Sequence, residues 1–225
     1  MNETQLYSQW SWLRRRFVFL LATLLFMLAV VPFLEGLSSL HTFFNIFLSV
    51  VLISAVYALS QKIRDFVAAV VLAIPMLLSI WSDYFVHSDA LFLIGRICGI
   101  LFLAFTIFHI LRHIFQQQEI TRDTIAGAAA VYLLFALMWA FIYIVLEHLQ
   151  PGSFATSLTQ TLEERNIFIY FSLVTITTLG YGDIAPVTYI ARSLAVLEAV
   201  VGQLYLVVLV SWLVGMYVSK KSRLL

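Results

Sequence analysis

The sequence has few charged residues and almost no cysteine. Only 11% of its 225 residues are charged and 62% are hydrophobic, whereas a soluble domain is roughly 25% charged. This composition excludes an ordinary water-soluble domain and indicates a membrane protein. The single Cys98 excludes a disulfide within one chain. The net charge of +1, without a basic patch interleaved with aromatic residues, gives no support for nucleic-acid binding, and no cofactor is expected.

Six long hydrophobic runs predict six transmembrane helices. Each run is near the roughly 20 apolar residues that cross the hydrocarbon core of a bilayer, and Pro75 predicts a kink in the third. The predicted spans are 17–34, 41–59, 66–81, 90–111, 124–146 and 189–218.

The segment between the fifth and sixth spans has a different pattern. Thr161 and Glu164 fit a capping box, which predicts a helix over 162–177. At 1.5 Å per residue this helix covers about 24 Å, too little to cross the membrane and return. We therefore expect a re-entrant helix, which survives at membrane depth only when it is buried in protein or lines water.

The basic residues are distributed unevenly over this topology. Two, Arg165 and Arg192, fall on the side of the re-entrant loop, and ten fall on the other: Arg14, Arg15, Arg16, Lys62, Arg64, Arg112, Arg122, Lys220, Lys221 and Arg223. The positive-inside rule then predicts a multi-pass protein of the cell membrane with both termini in the cytoplasm. The outward-facing loops would carry acids that attract cations: Glu35, Asp83, Asp89, Glu147, Glu163, Glu164 and Asp183.

Residues 175–186 read Thr-Ile-Thr-Thr-Leu-Gly-Tyr-Gly-Asp-Ile-Ala-Pro, so that two glycines alternate with Leu179 and Tyr181. Glycine reaches left-handed backbone conformations that other residues avoid, which allows the carbonyls of 178–182 to turn to one side. Four such strands around an axis would form rings of oxygen atoms, with the hydroxyl of Thr178 below them, that replace the water shell of a cation.

Six consecutive positions resemble the selectivity filter of tetrameric potassium channels: Thr178, Leu179, Gly180, Tyr181, Gly182 and Asp183. The resemblance covers 124–219 and implies that K⁺ binds through residues 178–181. One chain supplies one filter strand, so the implied assembly is a homotetramer in membrane lipid with its pore on the symmetry axis.

The implied fold is an all-α membrane protein with six transmembrane helices and a re-entrant pore helix and filter between the fifth and sixth. The front half resembles the family only in its number of spans. The expected divisions are a cytoplasmic N-terminus (1–16), a four-helix domain like a voltage sensor without its arginine array (17–115), a linker (116–123), the pore domain (124–219) and a tail (220–225).

Several residues are candidates for supporting the filter. Asp183 follows it directly, and Tyr170 and Phe171 stand where the family usually carries aromatic residues that pack around it. Thr175 and Thr177 either hold the outer side of the filter or hydrogen-bond back within their own helix. Val174 is apolar where some relatives place a carboxylic acid, so control of the filter by an acid pair is not expected.

The sixth span carries an acid and a glycine of interest. Glu198 is a functional candidate because it is ionisable within the membrane: it braces the back of the filter, pairs with Arg192, or is a protonated acid between subunits. Gly202 is either a hinge or a close-packing site. Residues at helical spacing beyond it are expected to line the cavity and gate: Gln203, Leu206, Val210 and Val214.

The fourth span lacks the arginines of a voltage sensor. It offers only Arg96 before Arg112, which predicts at most weak voltage dependence. Arg96 is expected to extend outward or to meet Asp83 or Asp89. His109 and His113, four residues apart, are either ordinary interfacial residues or a pH sensor.

Three other classes of protein share part of this pattern. Gly180 to Asp183 also satisfies the G-x-G-D pattern of intramembrane aspartyl proteases, but that chemistry requires two carboxylates sharing a proton, and no partner is evident. The chain is therefore not expected to be an enzyme. A transporter with related pore loops needs four pore repeats, of which the chain has one. A non-conducting membrane subunit is the remaining alternative.

Overall fold

The computed structural model describes residues 16–30, 40–59, 63–82, 88–117, 120–157 and 165–222. They form seven α-helices and one two-stranded antiparallel sheet. In chain order these are α1 (Arg16–Val30), α2 (Leu40–Ala58), α3 (Ile63–Ser82), α4 (Asp89–Gln116), α5 (Arg122–Leu149), β1 (Phe154–Thr156), α6 (Arg165–Ile176), β2 (Ile184–Pro186) and α7 (Tyr189–Ser222).

The described part of each hydrophobic run lies almost entirely in a helix, and α3 contains Pro75. Within the described residues, four helices are long and apolar enough to cross a membrane: α3, α4, α5 and α7. The chain is therefore a membrane protein built from helices. The described apolar parts of α1, α2 and α6 are shorter, so six crossings stay a prediction. The predicted capping box of Thr161 and Glu164 lies outside the described residues.

The start of α5 is defined by two threonines. The Thr121 side chain accepts a hydrogen bond from the Thr124 backbone N–H at 3.1 Å, and the Thr124 side chain accepts one from the Thr121 N–H at 3.3 Å. This reciprocal pair satisfies backbone donors that a helix start leaves without partners. It begins α5 at Arg122, two residues before the predicted start of the fifth span.

Helix α5 is the centre of the packing, since it contacts α1, α4, α6 and α7. Two glycines allow close approach: a Cβ at Gly127 of α5 would lie 3.0 Å from the ring of Phe17 in α1, and one at Gly99 of α4 would lie 2.9 Å from the ring of Phe141 in α5. Both contacts join the front helices to the α5 of the same chain. The sequence had left open whether these helices pack on their own pore segment or on that of a neighbouring subunit.

One end of the helix bundle, which we call the basic end, is where α1, α3 and α5 begin and α4 ends. Its described part carries Arg16, Arg64, Arg112 and Arg122, with Asp65 and Asp123. The carboxylate of Asp123 accepts hydrogen bonds from the backbone N–H groups of Phe17 and Val18, both at 3.1 Å. Asp123 of α5 therefore caps the N-terminus of α1, although it lies 106 positions after Phe17 in the sequence.

Arg96 does not extend outward, as the sequence led us to expect. Its side chain is only 1% exposed, and its guanidinium lies 4.9 Å from the ring centre of Phe92 and 5.6 Å from that of Phe141. Among the described residues its Nε and Nη2 atoms have no hydrogen-bond partner. The expectation of an outward side chain was wrong because aromatic faces attract a desolvated cation, and sequence spacing within α4 does not reveal that a ring of α5 lies over this position. Asp83, one of the two acids that Arg96 was expected to meet, lies outside the described residues.

Candidate functional site

The chain turns sharply where α6 ends. The carbonyl of Val174 accepts hydrogen bonds from the N–H groups of Leu179, at 2.9 Å, and Gly180, at 3.3 Å, while the Thr178 N–H donates to the Thr175 carbonyl at 2.9 Å. Thr178 has a φ of 60°, the left-handed conformation in which helices commonly end. These bonds fix the direction in which the next residues leave the helix.

Backbone handedness alternates along the next five residues. Thr178, Gly180 and Gly182 have φ values of 60°, 59° and 79°, whereas Leu179 and Tyr181 between them are not left-handed. In a strand of uniform handedness successive carbonyls point to opposite sides. Reversing every second residue cancels this alternation, so the pattern is suited to turning successive carbonyls toward one side. Glycine adopts it freely at two of the three positions.

Asp183 anchors the end of this segment. Its Oδ2 accepts a hydrogen bond from the Tyr170 hydroxyl at 2.5 Å, its Oδ1 accepts one from the Ile184 N–H at 3.0 Å, and its carbonyl accepts one from the Ser157 N–H at 2.9 Å. The structure thus joins two residues that the sequence had assigned to filter support, Tyr170 and Asp183, across the turn.

Phe171, the other predicted aromatic support, lies in a buried aromatic cluster behind the turn. The ring centres of neighbouring members are 5.1 to 5.4 Å apart in edge-on arrangements. Aromatic pairs prefer such arrangements to face-to-face stacking. The members are Tyr143, Phe154, Phe168 and Phe171. They join α5, β1 and α6, so that the aromatic side chains of α6 pack against both of its neighbours.

The sheet on this side of the molecule was not predicted. In it β1 and β2 pair with Phe154 opposite Pro186 and Thr156 opposite Ile184. Each strand has only three residues, too few to show an alternating pattern, and the partners are about 30 positions apart. The carboxylate of Glu147 accepts hydrogen bonds from the N–H groups of Gly152, at 2.8 Å, and Phe154, at 3.2 Å. This predicted outer acid therefore stabilises the turn before β1.

Glu198 lies behind the turn, fully buried. It accepts a hydrogen bond from the Tyr143 hydroxyl at 2.5 Å and is hydrogen-bonded to Ser172, whose hydroxyl also donates to the Ala136 carbonyl at 2.7 Å. Arg192 instead donates to the carbonyl of Pro186 at 3.2 Å. These contacts agree with the first of the three alternatives for Glu198, the brace, because Glu198 of α7 holds α5 and α6 together within one chain.

The number of protons in this network indicates the form of the acid. A serine hydroxyl has one proton, so Ser172 cannot donate fully both to Ala136 and to Glu198. Both contacts are satisfied when Glu198 is a neutral carboxylic acid that donates its own proton to Ser172. Sequence reasoning missed Ser172 and Tyr143, because their role depends on a partner in another helix.

Thr175 and Thr177, which precede the candidate filter, make different contacts. The Thr177 hydroxyl donates to the Leu173 carbonyl at 2.6 Å, so it bonds back within its own helix instead of holding the outer side of the filter. Thr175 contributes through its backbone, since its carbonyl accepts the N–H of Thr178.

Gly202 lies where α7 passes the end of α6. A Cβ at this position would be 2.5 Å from Cγ1 of Ile176 and 2.8 Å from its carbonyl oxygen, so the structure gives Gly202 a close-packing role. The same carbonyl accepts a hydrogen bond from the Tyr132 hydroxyl at 3.0 Å. The predicted lining residues Gln203, Leu206 and Val210 are exposed in the single chain, and the side chain of Val214 lies outside the described set.

Comparison with known proteins gives one match. Residues 131–219 match the profile of a family described as "Ion channel". The matched segment contains most of α5, the turn after α6, and α7 almost to its end. No match was found among the curated proteins, and none among the solved structures. Ion channels carry out no bond chemistry, so this match favours a channel over the protease alternative.

Proposed function

We propose that the chain, whose residues 131–219 match a family of ion channels, forms a potassium-selective channel. K⁺ would move passively down its gradient through a pore on the axis of a homotetramer. The bound ions would be held by the carbonyls of residues 178–181 and the hydroxyl of Thr178.

The observation that carries this proposal is the alternation of backbone handedness between Thr178 and Gly182. Carbonyls turned to one side supply the oxygen ligands that replace the hydration shell of K⁺. The Tyr170–Asp183 hydrogen bond at one end and the carbonyl of Val174 at the other hold the strand extended. The filter therefore does not depend on its own residues alone to keep its shape.

The surface of α7 supports an assembly of several chains. In the most apolar stretch of α7 only 17% of the residues are buried, whereas in that of α5 56% of the residues are buried. Large apolar side chains on several sides of α7 are exposed, among them Val196, Leu206 and Val208. In a tetramer one side would face the pore, another would pack on a neighbouring subunit, and lipid would cover the remainder.

The charge distribution supports one orientation. With the basic end in the cytoplasm, as the positive-inside rule favours, the turn after α6 faces the outer side of the cell membrane. The C-terminal end of α6 then points toward the pore cavity, where a helix dipole supplies roughly half a negative charge. Four such ends would favour a hydrated cation in the cavity.

Ion flux through the purified protein in liposomes tests the proposal. We expect flux of K⁺ and Rb⁺, little flux of Na⁺, and block by Ba²⁺. Gel filtration and chemical crosslinking of the same preparation should give four chains per particle. Equal permeation of Na⁺ and K⁺, or an assembly that is not fourfold, would overturn the proposal.

A matched pair of glycine variants shows whether the filter is responsible. Gly180 and Gly152 have φ values of 59° and 83°, and neither has an atom within 4 Å of an added Cβ. An alanine at either position therefore carries a similar backbone cost of about 1–2 kcal/mol. Gly180→Ala should abolish selective K⁺ flux while Gly152→Ala retains it, and loss of selectivity in both would contradict the assignment.

A further inference from the structure

The basic end contains a cavity of about 310 Å³ between α1, α2, α3 and α4. Its floor is apolar and includes Leu59 and Ile110, which are 6% and 1% exposed. Its rim is polar and carries Arg64, Asp65, His109, Arg112 and His113. The volume lies at the lower end of the range for small-ligand sites, and the cavity is separate from the candidate filter.

His109 lies between two acceptor groups. Its Nδ1 lies 3.1 Å from the carbonyl of Phe105 and its Nε2 lies 3.5 Å from the carboxylate of Asp65. The carboxylate of Asp65 is therefore next to an imidazole ring at the rim of the cavity.

The two arginines of the rim have no carboxylate at such a distance, because among the residues that the structure describes none lies within ion-pair distance of Arg64 or Arg112. His113 contacts the side-chain nitrogen of Gln117 at 3.0 Å, which adds no negative charge. The described lining thus has two guanidinium groups and one carboxylate, that of Asp65.

We propose that this cavity binds a phosphate-bearing anion. Guanidinium groups match the geometry of phosphate oxygens and form two parallel hydrogen bonds with them. The cavity lies where the helices end, at the level of the lipid headgroups. The phosphate can therefore belong to an anionic lipid whose chains meet the apolar floor, or to a soluble phosphate compound.

Two binding measurements distinguish these sources. Retention of phosphatidic acid by the purified protein, relative to phosphatidylcholine, is measured by native mass spectrometry. Binding of inorganic pyrophosphate is measured by isothermal titration of the same protein in phosphatidylcholine nanodiscs. Binding of phosphatidic acid alone supports a lipid ligand, and binding of pyrophosphate supports a soluble one.

Three variants connect binding to the cavity. Arg64→Gln combined with Arg112→Gln should weaken binding about 25-fold, since each arginine near an anionic group contributes roughly a fivefold factor. Asp65→Asn should tighten binding, because it removes the competing carboxylate. Arg122→Gln is the matched control, since Arg122 is an exposed arginine of the same end that does not line the cavity.

A general loss of folding cannot produce this result, because one variant is expected to bind more tightly. Equal weakening by Arg122→Gln and by the double substitution would show diffuse surface charge and overturn the proposal. Absence of binding by both phosphate sources would also overturn it. The filter plays no part in these measurements, so ion selectivity can be correct or wrong independently.

Discussion

The buried polar groups behind the turn each come from a different helix. Tyr143 lies on α5, Ser172 on α6 and Glu198 on α7, and all three are fully buried. A buried hydroxyl or carboxyl group without a partner is costly, so each of these residues depends on the other two helices being in place. The network therefore favours one arrangement of the three helices around the filter.

Substitution of Glu198 measures the value of this network. Glu198→Gln keeps an acceptor for Tyr143 and a donor for Ser172, so selective K⁺ flux and thermal stability should both remain near those of the unmodified protein. Glu198→Ala leaves two hydroxyl groups buried without that partner, at about 1–3 kcal/mol each, and should lower the thermal unfolding midpoint clearly. Equal effects of the two substitutions would show that hydrogen bonding is not what Glu198 contributes.

At single residues, the sequence was informative where the motif itself carries the role. Asp183 and Tyr170 were both candidates, and they meet in the structure. Arg96 does not extend outward as one alternative predicted, and Ser172 and Tyr143 were missed, because their environment comes from neighbouring helices. A hydrogen-bond or aromatic partner more than 25 positions away leaves no periodic signal in the chain.

At the scale of elements, α6 is held at both ends by its neighbours. The aromatic cluster around Phe171 supports one end. At the other end, Tyr132 of α5 donates to the Ile176 carbonyl and α7 passes against the same residue at Gly202. The position of the filter therefore depends on how closely α7 approaches α6.

A pair of glycines in α7 tests this dependence. An added Cβ at Gly202 would overlap Ile176, while one at Gly215 meets nothing within 4 Å. Gly202→Ala should destabilise the protein by about 1–3 kcal/mol through overpacking, measured as a lower thermal unfolding midpoint, and should impair K⁺ flux. Gly215→Ala should be neutral or stabilising by up to about 1 kcal/mol, since alanine is the better helix former. A hinge role predicts instead that Gly202→Ala alters open probability without loss of stability.

The helices could be predicted from the lengths of the hydrophobic runs, and their observed bounds differ from the predicted ones by a few residues. A long apolar run in lipid has few alternatives, because a helix pairs its backbone groups internally. The sheet of β1 and β2 could not be predicted, since the pairing of two three-residue strands is decided by the helices on either side. The same holds for the cap that Asp123 forms on α1.

At the scale of the whole molecule, the described front helices carry few charges that could cross the electric field of a membrane. Arg96 is the one arginine in the middle of α4, and it is enclosed by Phe92 and Phe141. A charge that crosses the field supplies about 2.3 kcal/mol per 100 mV, and an enclosed charge supplies little of this. We expect conductance to change only gradually over a range of about 200 mV in a planar bilayer. A steep sigmoid that Arg96→Gln removes would contradict this.

The assembly poses a separate question, namely which chain's α5 the front helices contact. In the structure α1 packs on the α5 of its own chain, and an ideal Cβ on Gly127 lies 3.3 Å from the Cβ of Phe17. Disulfides form when the Cβ atoms are about 3.5–4.5 Å apart, so a small adjustment of the two helices would allow one here. Such a bond would report directly on the connection between the two halves of the chain.

The test uses Phe17→Cys with Gly127→Cys in a Cys98→Ser background, where no other cysteine remains. After oxidation in the membrane, we expect both thiols to be lost while the protein still migrates as a single chain on a denaturing, non-reducing gel. If the front helices packed instead on a neighbouring subunit, the same bond would link chains and produce covalent dimers and larger species. Each single cysteine variant serves as the control for random collision, since it can form only dimers and cannot form the internal bond.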